Sequence, residues 1–221
     1  MTILWPVHVL RPQNVAFDIA PRSLAGPSSV SGFSQVVASD AGIWKARLGS
    51  VIVSRRNHVL AWRAIDALLE GRLNPILVPL CRAYQPVPAD FVDDDVPHSD
   101  DAPFDDETEY DGSVISVFLA ADMAVRAVSG SVNIAYAGTL QPGQHFSLGE
   151  RLYRLRTVTY TGANTADITF RPPLREAAAV GAVLEFDNPV CRMRLVSDQE
   201  MNLELAGRRR SAPTVNFIED I

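Results

Sequence analysis

The stretch spanning residues 57–81, NHVLAWRAIDALLEGRLNPILVPLC, reads as one helix feeding directly into one buried strand. Val59, Trp62, Ile65, Leu68 and Leu69 recur at helical spacing and predict a single apolar face. Asn57 is placed as the N-cap, because its side chain accepts a hydrogen bond from a free backbone N–H two or three residues on. Gly71 suits the left-handed conformation that ends a helix, and Pro75 blocks any continuation. Ile76, Leu77, Val78 and Leu80 then form a short apolar run of buried-strand type. No side chain here does chemistry, so the stretch speaks to fold rather than to activity.

Upstream, residues 1–10 alternate weakly, as a first strand would. Residues 11–32 hold Pro12, Pro21 and Pro27 and end in SLAGPSSVSG, which predicts an extended arm. Residues 33–38 and 43–53 are expected as two strands joined by a turn at Ser39-Asp40-Ala41-Gly42. Trp44, Ala46 and Leu48 alternate with Lys45 and Arg47, giving one buried and one wet face.

Downstream the character changes. Eleven of the 26 acidic residues lie between Asp90 and Asp111, among prolines 86, 88, 97 and 103. This composition predicts a solvated loop. Its DDDVPHSDDAPFDDE lacks the spacing and terminal Glu of an EF-hand calcium loop. Residues 113–119 alternate as a strand, and 120–128 fit either a short helix or a strand. Strands are then expected at 132–136, 146–148, 151–159, 168–170 and 183–186, punctuated by Gly, Pro and Asn. In the strand at 151–159, Leu152, Leu155 and Val158 are the expected core contacts, with the alternation slipping by one near Tyr153. Thr214 to Ile218 reads as a closing strand.

NPILVPLCR at 74–82 and NPVCRMRL at 188–195 share an Asn-Pro start and a Cys-Arg core, and read as the exit from and re-entry into one domain. The chain is therefore expected to be mainly β. Residues 1–83 with 191–221 form a β-sandwich domain carrying a helix at 57–70. An acidic loop at 84–112 and a connecting strand region at 113–130 lead to a small inserted β-barrel-like domain at 131–190.

With 221 residues and a 47% hydrophobic share, the chain can bury a proper core. It has no run near the roughly 20 apolar residues of a membrane span. Its first residues lack the pattern of a signal peptide, which points to synthesis in a cytosol. A net charge of −6 argues against wrapping nucleic acid. Cys81 and Cys191 cannot build a zinc site alone. They are read as buried small hydrophobes, with a disulfide between them as the alternative.

Catalytic patterns are missing. No serine sits in a G-x-S-x-G elbow, and neither a Walker A nor a G-x-G-x-x-G motif is present. His8, His58, His98 and His145 are scattered without metal-ligand spacing. Trp5, Trp44 and Trp62 suggest either a sugar platform or core, with core favoured for Trp62 by its place on the helix. Arg208 to Arg210 is the one basic cluster and suits contact with an acidic surface. No catalytic, cofactor-binding or metal-binding residue is assigned, and no cofactor is expected.

Taken together, SLAGPSSVSGFSQVVASDAGIWKARLG, VLAWRAIDALLEGRLNPILVPLC, GERLYRLRTVT, ITFRPPLREAAAVGAVLEFDNPVCRMRL and the ending PTVNFIEDI resemble tail-tip proteins of long-tailed bacteriophages. The functional class they resemble is the distal tail protein of siphophage-like particles. The acidic loop departs from that pattern, where a shorter, glycine-rich connection is expected.

The resemblance implies a tail-tube-like β-sandwich with one packed helix plus a small β domain, and no enzymatic activity. It implies a structural protein of the virion, at the tail tip, made in the host bacterial cytoplasm. It also implies a homohexameric ring joining the tail tube protein to the baseplate hub protein. DNA would pass through the lumen without specific binding, and no membrane would be entered. Carboxylates of the N-terminal domain are expected to line that lumen and repel phosphate. Two alternatives stand beside this. One is a host-saccharide-binding baseplate module, favoured if Tyr136, Tyr153 or Tyr160 cluster on the surface. The other is a different tail component, such as a tube terminator or hub protein. A cell-wall hydrolase comes last.

Overall fold

The apolar helical stripe finds its partner in a sheet. A computed structural model describes residues 3–26, 30, 32, 35–80, 84–88, 115–207 and 210–221. The single α-helix among them, α1 (Arg56–Leu69), buries Trp62, Ile65 and Leu69. Leu68, expected on the buried face, is about half exposed. The N-cap is Arg55 in extended conformation, without a side-chain cap hydrogen bond. Asn57 lies inside the first turn instead. Val53 is pinned by a bridge to Ser211, so only Ser54 and Arg55 remain to make the corner. At the other end Glu70 and Gly71 both adopt positive φ, 47° and 66°. A Cβ on Gly71 would meet only the exposed Asp198 carboxylate, at 2.8 Å, so it is the left-handed conformation that calls for glycine here.

Beneath α1 lies a six-stranded mixed sheet. Its strands are β1 (Ile3–Leu4), β2 (Asn14–Ala25), β3 (Val36–Gly49), β4 (Ile76–Pro79), β10 (Val190–Leu195) and β11 (Val215–Glu219). Their order is β1-β4-β10-β11-β3-β2. The two Asn-Pro segments pair directly, with Cys191 opposite Val78 and Met193 opposite Ile76. Of the first ten residues only β1 is a strand. Trp5 then turns the chain, its indole N–H donating to Leu10 O at 3.1 Å. Trp5 packs edge-on against Trp62 and Phe217, ring centroids 5.9 and 5.7 Å apart.

Residues 14–25 are not a free arm: β2 pairs with β3 from Asn14 opposite Gly49 to Ala25 opposite Val36, while residues 27–29 and 31 of the expected arm lie outside the described residues. Nor do Ser39 to Gly42 turn. β3 runs through them, and the register passes from Ala20 opposite Ile43 to Arg22 opposite Ser39. Pro21 has no N–H to offer across the ladder, so the partner strand bulges there. The described ladder ends with Gly26 N–H donating to Gln35 O at 2.7 Å.

A second, antiparallel sheet follows. It contains β5 (Ser116–Leu119), β6 (Ser129–Tyr136), β7 (His145–Leu148), β8 (Arg151–Tyr160) and β9 (Thr165–Arg171), in the order β5-β6-β9-β8-β7. It curls into a half-barrel around Phe146, Tyr153, Phe170 and Phe186. Residues 183–186 are not a full strand. They make single bridges, Val183 to Phe118 on β5 and Glu185 to Ser147 on β7, and so tie the two edge strands together. Residues 120–128 are neither helix nor strand, and a bridge from Met123 to Ala178 anchors them. The slip in β8 has a cause. Leu152 belongs to the core of the first sheet and the next residue, Tyr153, to the core of the second.

Candidate functional site

The residues singled out for chemistry are dispersed. Among the described residues, no group of three His, Cys, Asp or Glu side chains could hold a metal ion. No described helix is long and apolar enough to cross a membrane. His8 is exposed, and His58 Nδ1 sits 3.0 Å from Ile52 O at the start of α1. His98, Cys81, Arg208, Arg209 and the acidic run from Asp90 to Asp111 lie outside the described residues.

A tryptophan sugar platform is ruled out. Trp5, Trp44 and Trp62 are fully buried, and each indole N–H donates to a main-chain carbonyl. Of the tyrosines, Tyr153 is buried, whereas Tyr136 and Tyr160 are about half exposed. The Tyr160 hydroxyl accepts from Leu140 N–H at 2.8 Å. Cys191 is a buried free thiol whose pKa burial pushes well up, so it is a poor nucleophile.

The densest polar chemistry lies where the two sheets meet. Arg175, just past β9, forms a two-pronged pair with Glu219 at the end of β11. Its Nε reaches Oε1 and its Nη2 reaches Oε2, both at 2.9 Å. Glu219 also accepts Trp44 N–H at 3.0 Å, and Arg175 Nη2 donates to Gly42 O at 2.6 Å. The carboxylate is almost wholly buried. Paired geometry with three donors on the two oxygens is what makes such burial tolerable.

Beside it, the Trp44 indole donates to Leu152 O at 2.7 Å. The Arg154 guanidinium lies 5.1 Å from the centre of the Trp44 ring, and its Nε–H donates to His145 Nε2 at 2.9 Å. Burial, then the Arg154 charge, lowers the His145 pKa to about 4. The neutral ring is therefore the acceptor.

Next along, Asp220 accepts from Arg192 Nε at 2.9 Å and Arg194 Nε at 2.5 Å, and its main-chain oxygen accepts from Arg151. Burial alone would raise the Asp220 pKa, but those two arginine hydrogen bonds outweigh it and hold it low. This joint has no catalytic geometry. It locks two sheets into one orientation.

Among the described residues, the first sheet offers several surfaces to other molecules. β1 and β2 are its edges. Beyond Ile43 the β2–β3 hairpin outruns the sheet, because β11 pairs with β3 only from Leu48 to Lys45. An apolar groove of about 620 Å³ runs between β1 and α1, lined by Leu4, Pro6, Ala61, Ala64 and Leu68. The sheet face away from α1 carries Lys45, Arg47, Arg192 and Arg194 beside Asp18 and Asp220. No motif could have announced the joint, since its partners lie up to 175 residues apart.

No protein-family model matches this sequence, and no curated protein gives a significant match to it.

Proposed function

We propose that the chain is a structural ring component of a bacteriophage tail tip, joining the tail tube to the baseplate hub around the DNA channel. The observation that carries this reading is the β2–β3 hairpin. Residues 22–25 and 36–39 pair only with each other among the described residues, past the last rung of β11. An isolated two-stranded ribbon is marginal in water, so it gains its order from a neighbour. Open edges at both β1 and β2 supply the two unlike surfaces that a head-to-tail ring requires. The charged joint between the sheets suits a part that must carry force, and the sequence resemblance supplies the setting.

The proposed lumen is sharper than an acidic bias. A ring that turned the outer sheet face inward would present Lys45 and Arg47 beside Asp18, a mixed lining rather than an acidic one. Carboxylates at the lumen then have to come from another surface.

Mass measurement and negative-stain imaging of the purified protein test the reading. The expected result is a closed ring, six-fold by the resemblance, with a hole of about 20 Å or more, wide enough for a duplex. Replacing residues 22–39 by a short turn should abolish the ring and leave a folded monomer. A wild-type chain that stays monomeric at high concentration, or a ring unaffected by losing the hairpin, would sink the proposal.

A further inference from the structure

The β2–β3 hairpin is gripped at its root by the second sheet. Arg154 on β8 donates from Nη2 to Phe17 O of β2 at 3.0 Å. Arg175, just past β9, donates from Nη2 to Gly42 O of β3 at 2.6 Å. Both carbonyls lie close to the bulge between Ala20 and Arg22. They also lie near Lys45, the last residue of β3 that pairs with β11. The direction in which the hairpin leaves the first sheet is therefore set at two points, one on each strand.

The two grips differ in kind. Arg175 is fixed by its paired bonds to the buried Glu219, both 2.9 Å long. Arg154 is steadied by a titratable base instead. Its Nε–H donates to His145 Nε2 at 2.9 Å, and its guanidinium lies 5.1 Å from the centre of the Trp44 ring. Asp18 Oδ1 is 3.8 Å from Arg154 Nη2, on a side chain that is largely exposed and so well screened by water.

Nε2 accepts only while the imidazole is neutral with its hydrogen on Nδ1. A protonated ring would turn a donor towards a donor, with two cations at hydrogen-bond distance. β7, β8 and β9 set His145, Arg154 and Arg171 opposite one another in register, so the new charge would be the third in one row. Asp18 acts on His145 from β2, and β3 presents the uncharged Trp44 ring, 5.6 Å away. Burial and the Arg154 charge keep the ring neutral down to about pH 4.

We propose that His145 is an acid-operated latch on the hairpin: protonation at Nε2 frees Arg154 from Phe17 O, while Arg175 keeps its hold on Gly42. The root then loosens on its β2 side and pivots on its β3 side. Every group involved belongs to one chain, so the inference does not rest on the ring reading.

Amide hydrogen exchange of the full chain, corrected for the intrinsic effect of pH, tests the latch. On going from pH 6.5 to pH 4, the amides of the hairpin should exchange about tenfold faster, the equilibrium factor that one hydrogen bond sets. Those of β10 and β11 should keep their protection. His145→Gln supplies a neutral acceptor at every pH and should abolish the change, with the hairpin protected throughout. Arg154→Met should leave the hairpin exchanging fast at both pH values. Asp18→Asn should leave the pH response in place. An unresponsive wild type, or a loss of protection spread evenly over both sheets, would overturn the proposal. So would a response that survives His145→Gln or vanishes in Asp18→Asn, or a hairpin still protected in Arg154→Met.

Discussion

The two sheets close themselves differently. The first covers one face with α1 and, among the described residues, leaves both edges, β1 and β2, open. The second curls until residues 183–185 bridge its outermost strands, so it spends its own edges on itself. An open edge invites another strand, and a closed one refuses it. One sheet is thus shaped for association and the other for independence. Their cores differ in kind too. The first rests on three tryptophans, each with its N–H satisfied by a main-chain carbonyl. The second rests on a cluster of phenylalanines and one tyrosine in ring-to-ring contact. The charged joint, with Leu152 reaching from β8 into the first core, lies between them.

Removing the joint's central anion should have the largest effect. Glu219→Ala strands the mostly buried Arg175 guanidinium and should cost about 3–5 kcal/mol, the usual penalty for breaking a buried pair. Urea unfolding would measure it, and a loss below about 1 kcal/mol would mean that the two sheets hold together without the pair.

Trp44→Phe is gentler. It keeps an aromatic ring but removes the donor to Leu152 O, leaving a buried carbonyl unpaired, for about 1–3 kcal/mol. Trp62→Phe removes a similar bond inside the first core alone. Both should lower stability, but hydrogen exchange should rise across β7 and β8 only in Trp44→Phe. Equal protection in the two variants would show that Trp44 does not couple the sheets.

The smallest effect is set by pH. The folded state holds His145 at about 4, below its ordinary 6.5. Between those values the unfolded chain binds a proton that the folded chain refuses, so stability falls as pH drops from about 6.5 to 4. Asp220, held low by its arginines, adds a further loss only at pH below its ordinary 3.8. His145→Gln should flatten the upper part of that decline, and denaturation curves at pH 7, 5.5 and 4 would reveal whether it does. The ring is partly exposed, so solvent screening keeps the effect small.

The helix, β4 and β11 were legible in the sequence because each carries its own signal: a 3.6-residue stripe, an apolar run bounded by proline, an alternating tail. Pairing was less legible. Pro21 and the Ser-Asp-Ala-Gly run at residues 39–42 read as breakers, yet they face each other as a bulge inside one long hairpin. A single strand's composition cannot say what lies opposite it. The N-cap failed for a similar reason, since the bridge from Val53 to Ser211 decides where the helix starts. The joint was illegible altogether: Arg175, Glu219, Trp44 and Arg154 have meaning only once two sheets have been brought face to face.

The pairing of β4 with β10, and of β3 with β11, also sets an order of events on the ribosome. The strands of the first sheet that are made early cannot complete their ladder until residues near Val215 emerge. At about 5–20 residues per second, the 136 residues from Pro79 to Val215 take roughly 7–27 s to synthesise. The β2–β3 hairpin, joined locally, need not wait. The curled sheet, whose strands are neighbours in sequence, forms during the interval. The later half of the molecule therefore matures first, and the earlier half is finished around it by the last strand made.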